Sequence, residues 1–170
     1  MNTIRPARDG DADRLCAIYN HYVLTDVATF EEEPVAPVDM RQRVEEVQKV
    51  LFWLVYETDG AVVGFAYAGK WKVRAAYRYS VELSVYVDPQ HVGRGIGKEL
   101  YADLLSRLRE TQVNSVVGGV AGNNPMSIAL HHSFGFEQVA HLRAVGYKFR
   151  QWIDVRYFQL LLKQGQLSAG

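Results

Sequence analysis

The chain predicts a mixed α/β domain, one sheet of parallel and antiparallel strands with helices on both faces. Three observations carry this. Asp59-Gly60 separates two apolar runs, LFWLVYET and AVVGFAYAG, and both residues tolerate positive φ, so the pair marks a hairpin. Further on, SVELSVYV and NSVVGGVAG read as strands on either side of a helix, the β-α-β arrangement of a parallel pair. That helix is the clearest in the chain, because Ile96, Leu100, Leu104 and Leu108 recur every fourth residue while Tyr101 and Leu105 widen the face.

The remaining elements follow in order. NTIRPA is a short first strand. Asp9, Asp11 and Asp13 crowd a helix start, where carboxylates cap free N–H groups and favour the dipole. Leu15, Ile18, Tyr19 and Tyr22 follow at helical spacing. ATFEEEPVAP breaks this helix with two prolines, and VDMRQRVEEVQKV is a second, more polar helix. After the hairpin comes a basic, aromatic connection, KWKVRAAYRY. Behind the central helix, PMSIALHHSF is a short helix ending at Gly135, and FEQVAHLRAV and WIDVRYFQLLL are the last strands. The expected order is β-α-α-β-β-β-α-β-α-β-β, about seven strands in all.

A length of 170 residues suits one domain, and no repeat or Pro/Gly/Ser linker divides it. Apolar residues at 48% and charged residues at 22% indicate a globular chain. Lys plus Arg equals Asp plus Glu at 19 each, which argues against a nucleic-acid or membrane-surface protein. Cys16 is the only cysteine, so no internal disulfide forms, and its place on the first helix's apolar stripe reads as a buried, inert thiol. With no signal-like apolar core and no run near ~18 apolar residues, the expected location is the cytoplasm.

The segment VYVDPQHVGRGIGKEL carries the most chemistry. Gly93, Gly95 and Gly97 bare the backbone where a helix begins, so its free N–H groups and positive end suit an anion, and Arg94 and Lys98 add charge. The alternative is a strained turn before a solvated helix start. A dinucleotide fingerprint fails because its third glycine falls on Lys98, and a Walker loop fails because its first glycine falls on Val92 and Glu99 follows Lys98. The pattern Q/R-x-x-G-x-G/A does fit, over Gln90 to Gly95, and it resembles the pyrophosphate motif of the GNAT N-acetyltransferases, which bind acetyl-coenzyme A.

That resemblance implies the GNAT fold, a twisted, mostly antiparallel mixed sheet whose strand before the loop splays from its neighbour at a bulge. It assigns Val85, Tyr86 and Val87, within the strand from Ser84 to Val87, to the pantetheine arm. One N–H there becomes the oxyanion donor, a group worth ~3 kcal/mol in comparable enzymes. Gly93, Arg94, Gly95, Ile96, Gly97 and Lys98 become the phosphate loop. GNNPMSIALHHSFGF resembles the family's second cofactor segment, with Asn124 and Ser127 as side-chain contacts, although Asn124 before a proline also suits a helix cap.

YRYSVELSVYV, GNNPMSIALHHSFGF and LRAVGYKFRQWIDVRYFQL together resemble the phosphinothricin and methionine sulfoximine N-acetyltransferases, and the likeness spans residues 4–162. It implies one catalytic domain over residues 1–162, a polar tail over 163–170, a homodimer and no metal. For the dimer surface, Tyr157, Phe158 and Leu160 are expected to be exposed. Glu82, a carboxylate in an apolar strand, matches the branch's general base for the acceptor ammonium, the alternative being an edge or ion-paired glutamate. His131 stands where many members carry an acidic tyrosine and is an acid, a second base or structural. Lys72 and Arg74 are the candidates for the acceptor's anionic group, against a plain solvated basic loop. Tyr77, Tyr79 and Phe30 are expected to wall the pocket, and Trp152 and Asp154 to brace the last strand. Two departures stand out: His91-Val92 before Gly93, and Phe149 where the herbicide-resistance enzymes carry His. With no nucleophile placed for an acetyl-enzyme, and Cys16 far upstream, direct attack in a ternary complex is expected. Another small amine or a protein N-terminus is the alternative acceptor, and a non-catalytic acyl-coenzyme A sensor the alternative class.

Overall fold

The computed structural model describes residues 1–163. The strands are β1 (Asn2–Pro6), β2 (Trp53–Thr58), β3 (Ala61–Lys70), β4 (Ser80–Val87), β5 (Ser115–Ala121), β6 (Glu137–Lys148) and β7 (Gln151–Leu161). The helices are α1 (Ala12–Thr25), α2 (Pro37–Gln48), α3 (Ile96–Arg109) and α4 (Pro125–Ser133), and the chain order is the expected one. All seven strands join one sheet in the order β1-β2-β3-β4-β5-β7-β6. Every neighbouring pair is antiparallel except β4 and β5.

Each face of the sheet has its own core. On one, Val81 and Leu83 of β4 and Val116 and Val120 of β5 meet Leu100, Leu104, Leu105 and Leu108 of α3. On the other, Leu15, Ile18 and Tyr19 of α1 and Met40 and Val44 of α2 cover Trp53, Val55, Phe65 and Tyr86. Full burial of such a side chain is worth about 1.5–3 kcal/mol. Six residues of α3 are buried but only two of α2, so α3 is much the more firmly held helix. Its first turn lies close against β3. A β-carbon on Gly64 would meet Ile96 Cγ2 at 3.1 Å and Leu100 Cδ1 at 3.4 Å, so the missing side chain sets the approach of the helix start.

The parallel pair is short. β4 and β5 pair from Ser80↔Ser115 to Leu83↔Gly118 and then separate. Beyond that point β4 is paired only with β3, and β5 only with β7. A wedge opens between the two central strands, where unpaired backbone groups face a gap.

Several expectations are corrected. Asp11 caps the single 3-10 turn Asp9–Asp11 that leads into α1 and not α1 itself, to which its side chain makes no bond. Its carboxylate instead accepts from the Arg5 guanidinium at 2.8 and 2.9 Å and from Arg8 N at 2.8 Å, and Arg5 also reaches Glu57. β6 runs three residues past its expected end and bends at Ala144 (φ 48°), where the pairing slips between Leu142 and Gly146. Asp154 braces that bend by accepting from Ala144 N at 2.9 Å and His141 Nε2 at 2.7 Å. Trp152 braces nothing in the core: it is 69% exposed and packs on Tyr147. Phe158, expected at the surface, is wholly buried, and Tyr157 and Leu160 are half-buried. The exposed large apolar residues of the last two strands are Val139, Leu142, Val145 and Tyr147 on the edge strand β6, with Trp152 and Leu161 near the ends of β7. Cys16 is buried, as expected. Of the polar tail, Lys163 is docked through Nζ onto Thr111 O at 2.7 Å, and residues 164–170 lie outside the described residues.

Candidate active site

The wedge widens into a cleft of about 620 Å³, lined by Leu83 to Val87 of β4, the glycine loop, the first turns of α3 and α4, and part of α1. Asp88 shapes the loop by accepting from Gln90 N at 2.9 Å. Gly93 and Gly95 then take φ of 81° and 83°, a region where only glycine is unstrained. Gly95 is the N-cap of α3, and no side chain caps the helix, so its first-turn N–H donors and the positive end of its dipole face the cleft. Gly97 has no such conformational need, and a β-carbon there would sit 3.8 Å from Val85 and 3.9 Å from Val87. Ile96 and Lys98 line the cleft, whereas Arg94 is exposed outside it.

Along the cleft's strand edge, Val87 already accepts from the Tyr22 hydroxyl at 2.5 Å. Across from it, Asn124 caps α4 by accepting from Ser127 N at 3.0 Å, and both residues line the cleft. Capping and cofactor contact are therefore compatible at Asn124.

His131 lies deep in the same wall, 2% exposed. Its Nδ1 stands 2.7 Å from Ser127 O, and a carbonyl only accepts, so Nδ1 carries the proton. Nε2 is then the acceptor for the Tyr101 hydroxyl at 3.2 Å. Burial pushes the imidazole below its ordinary pKa, which favours this neutral form. Both nitrogens are engaged, an arrangement that holds a ring in place and does not leave it charged to release a proton. Sequence reasoning missed Tyr101 as a site residue. It was visible only as one large side chain on a leucine face, and its hydroxyl gains meaning only from α4 packed against it.

Glu82 stands on the opposite face of the sheet. Gly119 of β5 lines the cleft, and a β-carbon there would lie 3.2 Å from Glu82 Oε1 and 3.3 Å from the Tyr157 ring. Glu82 is half-buried, and burial raises its pKa while Lys72 pulls it partly back. Lys72 lies over the Trp71 ring at 4.6 Å, and that ring meets Tyr157 edge-on at 5.3 Å. Glu82, Lys72, Trp71 and Tyr157 thus form one group at the wedge. Tyr157 was expected only as surface. Arg74 and Tyr77 are exposed in the connection before β4, and neither Lys72 nor Arg74 has an ion pair among the described residues. Tyr79 is exposed beside Arg78. Phe30 is seated on Gly146 of β6, its Cζ lying 2.3 Å from where a β-carbon would be. Among the described residues no three His, Cys, Asp or Glu side chains converge to hold a metal.

Comparison with known proteins gives concordant matches. Residues 4–156 match the acetyltransferase (GNAT) domain family. A phosphinothricin N-acetyltransferase of Streptomyces viridochromogenes is 40% identical over 92% of this chain and 85% of its own length. An L-methionine sulfoximine/L-methionine sulfone acetyltransferase of Salmonella typhimurium is 38% identical over 95% of both chains. Among solved structures, a phosphinothricin acetyltransferase of Sinorhizobium meliloti in complex with acetyl-coenzyme A superimposes with a TM-score of 0.94, at 35% identity, over 99% of this chain and 92% of that one.

Proposed function

Because the chain belongs to the GNAT acetyltransferase family, and is an acetyl-coenzyme A-dependent N-acetyltransferase, we propose that its acceptor is the amino group of a small amino-acid-like compound of the phosphinothricin or methionine sulfoximine kind. Bound acetyl-coenzyme A supplies the acetyl thioester. The residues present suit its phosphates: Gly93 and Gly95 bare the loop backbone, α3 begins uncapped, and Lys98 adds a cation.

The supporting observation is Glu82, a half-buried carboxylate at the opening of the β4–β5 wedge with its pKa raised by burial. An amine is mostly protonated at neutral pH, and Glu82 takes that proton so that the nitrogen lone pair can attack the thioester carbon. Unpaired N–H groups of β4 past Leu83 would receive the charge that develops on the thioester oxygen; as the intermediate collapses the C–S bond breaks, and coenzyme A leaves as the thiol, matched by the proton the amine has given up. Neutral His131, held by Ser127 and Tyr101, orders the opposite wall. Lys72, beside Glu82 and without an ion pair among the described residues, and Arg74 on the same connection hold the acceptor's anionic groups. Tyr77 and Phe30 add walls to that acceptor site.

The working unit in this account is a cytoplasmic homodimer, with the exposed apolar residues of β6 covered by a second copy. Acetylating such a compound would confer resistance to it. The test is free-thiol release from acetyl-coenzyme A with methionine sulfoximine, phosphinothricin, methionine sulfone, methionine and a short N-terminal peptide. Release with the amino-acid analogues supports the assignment. Release only with the peptide replaces the acceptor, and binding of coenzyme A without release to any amine means a sensor.

A further inference from the structure

His91, which sits beside the glycine loop, lines the cleft with its side chain 22% exposed. Its Nδ1 is wholly buried with no hydrogen-bond partner among the described residues, 3.8 Å from Asp88 Oδ1. The two ring nitrogens point in different directions, so with Nδ1 turned to Asp88 it is Nε2 that remains for a ligand. Asp88 cannot easily turn away. It is 7% exposed, forms an ion pair with Arg14 of α1, and accepts from Gln90 N at 2.9 Å, while Arg14 is itself held by Val62 O at 2.7 Å. As an imidazolium the ring has a charged N–H at Nε2 to offer a ligand in the cleft that it lines together with the first turn of α3.

We propose that His91 contacts a phosphate of coenzyme A only when protonated, so that cosubstrate binding weakens as pH rises through neutrality. Asp88 stands next to it and carries Arg14 of α1, and the other charged and titratable groups lining the same cleft are His21 and Tyr22 from α1, Asp26 beyond α1, Lys98 and Tyr101 from α3, and His131 from α4. Of these, His91, His21 and His131 are side chains of a type that changes charge across neutral pH, and His131 has both ring nitrogens engaged by Ser127 and Tyr101. A coenzyme A phosphate monoester gains charge over the same range and would tighten binding toward alkali, the opposite sign.

The inference rests on acetyl-coenzyme A as cosubstrate, and the test reads binding alone, so a wrong acceptor would leave it standing. Calorimetric affinity for coenzyme A is measured near pH ~6 and ~8 for wild type, His91→Gln, His91→Lys and His21→Gln. Wild type is expected to bind about three- to tenfold tighter at the lower pH. His91→Gln should lose the tightening at the lower pH and keep only the opposite drift that comes from the phosphate monoester, His91→Lys should bind tightly at the higher pH as well, and His21→Gln should keep the wild-type step. The same series with 3′-dephospho-coenzyme A locates the contact: a surviving step assigns the pyrophosphate, and a lost one the 3′-phosphate. An undiminished step in His91→Gln overturns the proposal.

Discussion

A β-carbon on Gly118 would lie 2.0 Å from Nε2 of His131, so the imidazole fills the space a side chain on β5 would take. The next residue does the same for the other face, where Gly119 leaves room for Glu82 and Tyr157. Two consecutive bare positions thus stand where β4 and β5 part, one admitting the histidine and the other the carboxylate.

Gly118→Ala is expected to destabilise the fold by about 1–3 kcal/mol, because the methyl group forces the buried imidazole aside. Denaturant unfolding checks this. The double variant Gly118→Ala, His131→Ala should recover much of the loss, since the methyl then enters space the ring has left. Two simply additive losses would mean that the contact is not the cause.

The acid side of the pH–rate profile should belong to Glu82. The base works when ionised, so kcat/KM falls as pH falls through its pKa, which burial places above the ordinary carboxylate range. Lys72 pulls that pKa down, so Lys72→Met should move the acid limb to higher pH. Added salt should move the wild-type limb in the same direction, because Lys72 is exposed. A limb that stays in place in the variant would separate Lys72 from the base.

Asp11 predicts how stability responds to acid. Burial alone would raise its pKa, but bonds from Arg5 and Arg8 outweigh that and lower it. A folded pKa below the unfolded one stabilises fully above the unfolded value of 3.8, and the contribution disappears as pH falls below it toward the folded pKa. Asp11→Asn should therefore cost on the order of 1–3 kcal/mol near neutrality and progressively less below pH ~4, measured by denaturant unfolding across pH. An equal cost at both ends would place the effect in packing and not in charge.

The parts of the molecule that were legible in the sequence are those set by local spacing. The leucine period of α3, the Asp59-Gly60 turn and the glycine loop are all defined within a few residues of chain. Features that depend on distant partners were hidden. Asp11 reads as a helix cap until Arg5 and Glu57 come together on β1 and β2. Lys148 donates to Asp26 O at 2.7 Å and Thr29 O at 2.8 Å, so it pins the end of α1 from more than a hundred residues away. The turn at Phe149 and Arg150, with φ of 51° and 62°, contains no glycine to announce it. In the site, Gly93, Gly95, Gly97 and Asn124 line the cleft, while Arg94 of the same loop stands outside it. The slots at Gly118 and Gly119 and the Tyr101–His131 bond depend on packing across the sheet, which no local pattern encodes.

The most direct test is turnover of methionine sulfoximine with acetyl-coenzyme A by wild type and Glu82→Gln, alongside coenzyme A affinity for both. Acceptor-dependent thiol release by wild type is expected, with kcat lowered about 10²–10⁴-fold in the variant and coenzyme A affinity unchanged. Undiminished turnover by Glu82→Gln would contradict the assignment of Glu82 as the base.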